Sequence, residues 1–256
     1  MFETFVVHCH MPKTGGSALN RRILFARYGI DRVHQMYRYI FERSSRLPIR
    51  HRTKALRSFA AAGHVPFGYV DPIYPEALYV SVFRDPVERF LSFLNFMLLT
   101  PDHAARARLP EKAFSNFEQD PDSLAMAVLA DPHLRAVHCN AQVRLASGSA
   151  RLGKTPVGSD HMDAALGNLS NPRYLTARLE DLDGFLIRLD DILPGEGNAI
   201  GAENIPAKLE KRGQRRLHAK MLAPATLTAI RDANDYDLRL IDAVDRNKKR
   251  SRQRAA

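Results

Sequence analysis

Apolar residues in this chain fall alternately into short β-prone runs and into stretches where they recur every three or four positions, and that order predicts the elements. Thr4-Phe5-Val6-Val7-His8 reads as a short strand. It stops at Met11-Pro12, and the turn Lys13-Thr14-Gly15-Gly16-Ser17 follows. From 17 to 28 the pattern is helical: Leu19, Ile23 and Ala26 share a face, and Gly29 suits the position after the last turn. The basic stretch 31–57 predicts a helix over 33–41, which Pro48 breaks. The segment Gly63-His64-Val65-Pro66-Phe67-Gly68 reads as extended or turning. Leu78-Tyr79-Val80-Ser81-Val82-Phe83 is an uninterrupted β-prone run, the pattern of a strand buried on both faces. After it, Asp85 reads as an N-cap, Pro86 as the first helical residue and Glu88 as the partner in a capping box, with the helix ending near Leu99.

Further on, helical patches are predicted over 123–130 and 133–145, and a Gly/Ser-rich loop over 148–158. Tyr174-Leu175-Thr176-Ala177 predicts another short strand, 182–193 an amphipathic helix, and 226–244 the last helix. Strands alternate with helices, without internal repeats or a composition shift. The expected architecture is α/β: one domain, 1–245, with a central, mainly parallel sheet flanked by helices.

Composition adds boundaries. With 256 residues, 45% of them apolar, the chain has enough material for a full core without staples. Of the formal net charge of +10, +6 lies in 246–254 (RNKKRSRQR), leaving +4 for the body. That segment reads as a disordered, solubilising tail, with a membrane surface or an acidic polymer as its possible contacts. A tail alone does not make a nucleic-acid-binding protein. The opening MFETFVVHCHMPK lacks the basic leader and apolar run of a signal peptide, and two cysteines are too few for a disulfide framework. The expected location is the cytoplasm.

The candidate chemistry begins at the first turn. A strand–loop–helix unit points backbone N–H groups at a helix N-terminus, where an anion is favoured. Gly15 and Gly16 allow close approach, Lys13 supplies a charge, and Thr14 and Ser17 supply hydroxyls. A Walker loop places its Lys after the last glycine and follows it with a magnesium-binding hydroxyl. Here Lys13 precedes the glycines, which disfavours nucleoside triphosphate hydrolysis and a need for metal.

The run Phe5-Val6-Val7-His8-Cys9-His10-Met11-Pro12-Lys13-Thr14-Gly15-Gly16-Ser17 resembles the 5′-phosphosulfate loop of sulfotransferases that use 3′-phosphoadenosine 5′-phosphosulfate (PAPS). The form is that of the heparan/dermatan uronosyl enzymes and their bacterial relatives, His-Ile-Pro-Lys-Thr-Gly-Gly-Thr, with Met11 for Ile and Ser17 for Thr. The segment Val80-Ser81-Val82-Phe83-Arg84-Asp85-Pro86-Val87-Glu88-Arg89-Phe90-Leu91-Ser92 is similar to the family's 3′-phosphate segment. An Arg at a strand end and a Ser two turns into the next helix suit a phosphate on chemical grounds too. The likeness covers 4–28 and 63–100, is looser over 173–245, and is absent over 101–170, where an acceptor pocket would vary.

The resemblance implies a P-loop-NTPase-like sulfotransferase fold and a sulfuryl transfer to a hydroxyl, with a carbohydrate or glycolipid as acceptor. It assigns the backbone N–H groups from Thr14 to Ala18 to the 5′-phosphate, Arg84 and Ser92 to the 3′-phosphate, and Lys13 to the leaving oxygen. His64 lies in a segment that resembles the family's Gly-His base, and imidazole suits that work near neutral pH. Lys208 and Arg212 fall where relatives carry a nucleotide-covering loop. His8 and His10 lack further partners for a metal, Arg89 reads as an internal partner of Glu88 or Asp85, and Asn234-Asp235-Tyr236-Asp237 as architecture. His103, His133 and His138 have no motif around them. Two other classes stay open: a P-loop kinase or nucleotidase, and a non-enzymatic nucleotide- or nucleic-acid-binding module.

Overall fold

The computed structural model describes residues 4–37, 57–148, 156–193 and 216–255, with side chains to Arg246. Five strands form one all-parallel sheet: β1 (Val6–Cys9), β2 (Val33–Gln35), β3 (Ala60–Gly63), β4 (Leu78–Phe83) and β5 (Tyr174–Arg178). Their spatial order is β2-β3-β1-β4-β5. The chain leaves the central strand β1 toward one edge, then returns to its other side at β4. In an open parallel sheet that reversal opens a crevice at the carboxyl ends of the strands, the usual ligand edge.

Side chains alternate between the two faces as strand geometry requires. Val6, Ala60, Ala62, Val80 and Val82 face one apolar cluster, while Val7, Ala61, Tyr79 and Phe83 face another. The first face is covered by α1 and α7 (Leu182–Ile192). Helix α1 begins as Gly16–Leu19, passes through a π-helical stretch Asn20–Phe25 and ends as Ala26–Tyr28 before Gly29 (φ 80°). The second face is covered by α5 (Ala141–Ala146), α6 (Ser159–Leu169) and α9 (Asp235–Ala255). A third apolar cluster joins α2 (Pro86–Leu99), α3 (Pro121–Ala130), α4 (Pro132–His138) and α8 (Pro224–Ala233). Among the described residues no helix is long and apolar enough to cross a membrane.

Several expected elements differ. The helix over 33–41 is replaced at its start by β2, because Val33, His34 and Gln35 pair in register with Ala60, Ala61 and Ala62. The helix over 133–145 is two, broken at Asn140 (φ 50°), and that over 226–244 is two, broken at Asn234. The last helix continues through the basic run that the sequence assigns to an irregular tail. Asp85 caps α2 as expected, its Oδ1 accepting the Glu88 N–H at 2.9 Å, but the Glu88 carboxylate turns to Arg84 instead of closing the box.

Gly63 is fixed by space. A Cβ there would lie 2.6 Å from the Met36 carbonyl oxygen, against backbone that cannot give way. Gly63→Ala is therefore expected to cost about 1–3 kcal/mol of stability, the usual penalty of overpacking, read as a lower denaturation midpoint with an unchanged slope.

Candidate active site

Three loops meet at the carboxyl edge of the sheet, after β1, β3 and β4. Between them and α2, α4 and α5 lies a cavity of about 1000 Å³. Lys13, Gly15, Gly16, Ser17, His64, Arg84 and Ser92 all line it. Thr14 and Ala18 do not: Thr14 is fully buried and its Oγ1 donates to the Met11 carbonyl at 2.9 Å, while the Ala18 N–H donates to the Gly15 carbonyl at 2.9 Å. These two shape the turn. Lys208 and Arg212 lie outside the described residues.

The turn after β1 needs its glycines. Gly15 sits at φ 81°, and a Cβ on it would stand 2.5 Å from Leu179 Cδ1. On Gly16 a Cβ would meet the His10 ring and stand 2.7 Å from His8 Cε1, so the helix start rests directly on two imidazoles. The N–H groups of Gly16 and Ser17, first in the helix, have no carbonyl behind them within it. Both imidazoles are neutral at neutral pH: burial brings His8 to about 4, and burial with Lys13 close by brings His10 to about 2. They are held by a hydrogen-bond chain. His8 Nδ1 meets Asn20 Oδ1, the Asn20 amide donates to the Tyr37 hydroxyl, and that hydroxyl lies 3.0 Å from His10 Nδ1. Among the described residues no three His, Cys, Asp or Glu side chains converge as a metal site.

Lys13 is the other strained residue of the turn, at φ 68°. Its Nζ stands 4.3 Å from the centroid of the Phe96 ring, a cation–π contact. Burial and the nearby Arg84 lower its pKa. Among the described residues no carboxylate lies within ion-pair distance of it. Arg84 reaches across from β4, its Nη1 donating to the Lys13 carbonyl at 3.4 Å and its Nη2 to Glu88 Oε2 at 3.4 Å.

The Arg84 backbone is clamped by a buried amide. Gln142 Oε1 accepts the Arg84 N–H at 2.9 Å and Gln142 Nε2 donates to the Arg84 carbonyl at 2.9 Å. Gln142 in turn belongs to a buried polar knot. Asp237 accepts from the N–H groups of Gln142 and Val143 at the start of α5, and Arg89 lies 3.9 Å from Asp237 while donating to the His138 carbonyl and to Asn234. Arg89 is thus internal, but its carboxylate partner is Asp237. Asn234 and Asp237 are architectural, as the sequence has them.

His64 follows β3. Its Nδ1 is 2.7 Å from the His10 carbonyl oxygen, and the His10 N–H donates to the Gly63 carbonyl at 2.7 Å. A carbonyl can only accept, so His64 Nδ1 carries the hydrogen and Nε2 keeps the lone pair. Burial lowers the His64 pKa and the bond to His10 partly offsets it. The result is a neutral imidazole with a defined basic nitrogen in a cavity whose lining includes Lys13, Arg84 and Arg108. No family model and no curated protein sequence matches the chain. What the site can do follows from its own atoms: hold a polyanion and accept a proton from a bound group.

The rest of the cavity comes from residues without local motifs. Tyr37, Phe93, Phe96, His103, His133 and His138 line it as well. Phe96 was within reach of sequence reasoning, since it follows Ser92 by one helical turn and shares its face. The histidines were not: the packing of α4 against α2 brings His133 and His138 to the cavity, and the turn after α2 folds His103 back onto Phe96.

Proposed function

We propose that the chain is a sulfotransferase that moves the sulfuryl group of PAPS to an acceptor hydroxyl. The observation that carries this reading is the meeting in one cavity of Lys13, Arg84, a glycine-shaped helix start and an imidazole whose Nε2 has no hydrogen-bond partner among the described residues. The donors fit a nucleotide with anionic groups at both its 3′ and 5′ ends: the Gly16 position has no room for a Cβ, and Lys13, Arg84, Ser17 and Ser92 offer only positive or hydroxyl groups. The 2-3-1-4-5 parallel sheet with its anion turn after the central strand supports a P-loop-like sulfotransferase fold.

PAPS, as donor substrate, supplies an activated sulfuryl group with adenosine 3′,5′-bisphosphate as leaving group. The N–H groups of Gly16 and Ser17 and the Ser17 hydroxyl hold the 5′-phosphate, and Arg84 with Ser92 the 3′-phosphate. His64 Nε2 takes the acceptor proton as the acceptor oxygen–sulfur bond forms and the sulfur–oxygen bond to the 5′-phosphate breaks. Lys13 Nζ meets the negative charge that gathers on the departing oxygen. Positioning supplies most of the remainder, as in phosphoryl transfer.

The test is transfer of radiolabelled sulfate from PAPS to a panel of alcohols without added metal. Transfer that disappears with Lys13→Ala is expected. Magnesium-dependent ATP turnover without sulfate transfer would assign the site to a kinase or nucleotidase instead. Gly16→Ala should weaken adenosine 3′,5′-bisphosphate binding at least about tenfold, or about 1.4 kcal/mol, because the new methyl displaces His8 and His10 from beneath the turn. Titration calorimetry measures it.

A further inference from the structure

Resting on the sulfotransferase reading, we propose that the acceptor is a phenol or similarly flat, uncharged aromatic alcohol, recognised by the apolar wall of the cavity. The cavity lining is of two unlike kinds. One is the cationic turn with Lys13 and Arg84. The other is an apolar wall of Phe93 and Phe96 from α2 and Leu134 and Val137 from α4. Phe96 leaves 38% of its surface exposed, an apolar area that an apolar guest would cover.

His138 and His103 add rings to this wall. His138 lies flat on Phe93, with centroids 3.5 Å apart, and His103 stands edge-on to Phe96 at 5.1 Å. Burial lowers the pKa of both. Arg108, the remaining cation of the wall, pairs with Asp131 at 3.2 Å. A sugar carries hydroxyls around its ring, each a donor as well as an acceptor, and carboxylates and carboxamides are suited to take their hydrogens. Among the described residues no Asp, Glu, Asn or Gln lines the cavity.

The reacting centre agrees with the wall. Lys13 Nζ stands over Phe96, so a guest ring against Phe96 lies beside the leaving-group end of the donor site. His64, its basicity lowered by burial, suits an acidic hydroxyl. A phenol ionises near about 10, against about 15.7 for water.

The experiment uses the full chain with adenosine 3′,5′-bisphosphate present, and reads binding by saturation-transfer NMR and turnover with PAPS. The probes are 2-naphthol and a uronate-containing oligosaccharide. Naphthol is expected to bind and be sulfated, and the oligosaccharide to do neither. Val137→Asp should raise the naphthol KM at least about tenfold, as a buried charge disrupts an apolar site, while bisphosphate affinity stays within about twofold. Bisphosphate binding without naphthol binding, or a Val137→Asp variant that handles naphthol like the parent, overturns the acceptor assignment and leaves the sulfotransferase reading standing. Absence of bisphosphate binding overturns both.

Discussion

Replacing His64 with asparagine is expected to lower kcat about 10²–10⁴-fold, with the fold intact. The asparagine Nδ2 takes the place of His64 Nδ1 and can still donate to the His10 carbonyl, so the tie between the loops after β1 and β3 persists while the basic nitrogen is gone. The pH profile gives a signature that lost structure would not. A general base works when neutral, and burial holds the His64 pKa below its ordinary value of about 6.5. The wild-type rate should therefore be flat through neutral pH and fall only on the acid side of that value, as the imidazole takes up a proton. The variant should lack this acid limb. An unchanged kcat, or a limb that persists in the variant, would remove His64 from the reaction.

Lys13→Ala is expected to lower kcat about 10²–10³-fold, the usual effect of removing one donor to a developing oxyanion, without loss of thermal stability. Lys13 is desolvated, faces Arg84, and holds a left-handed φ of 68°. Its pKa is lower in the folded chain than in the unfolded one, so between those values the unfolded state binds more protons and stability rises with pH. Below that window the cation is a cost to the fold. Melting curves at neutral and alkaline pH should show the rise in the parent and its absence in the variant. Full turnover by the variant would refute the role given to Lys13.

The parts of this architecture that local rules determine were legible in the sequence. The glycine turn that opens α1 and the Asp85-Pro86 cap of α2 carry their signals in residues adjacent in the chain. β2 was hidden because its three residues hold their conformation only through β3. The breaks at Asn140 and Asn234 were hidden for a related reason. Asn234 Oδ1 accepts the Asn140 N–H, and Asn140 Oδ1 accepts the Asp237 N–H, a mutual lock between distant segments. At the site, Lys13, the glycines, Arg84, Ser92 and His64 announce themselves by motif, and the cavity brings them together. Tyr37, His103 and His138 carry no motif, since their place depends on packing against His10, Phe96 and Phe93.

In the proposed enzyme a single pocket grips both phosphates of one adenine nucleotide. Titration calorimetry of the wild type and Arg84→Ala with adenosine 3′,5′-bisphosphate and with adenosine 5′-monophosphate tests it most directly. The wild type should prefer the bisphosphate by about ten- to hundredfold, the worth of a charged hydrogen bond, and Arg84→Ala should erase the preference. No heat with the bisphosphate, or equal affinity of the wild type for both nucleotides, would contradict it.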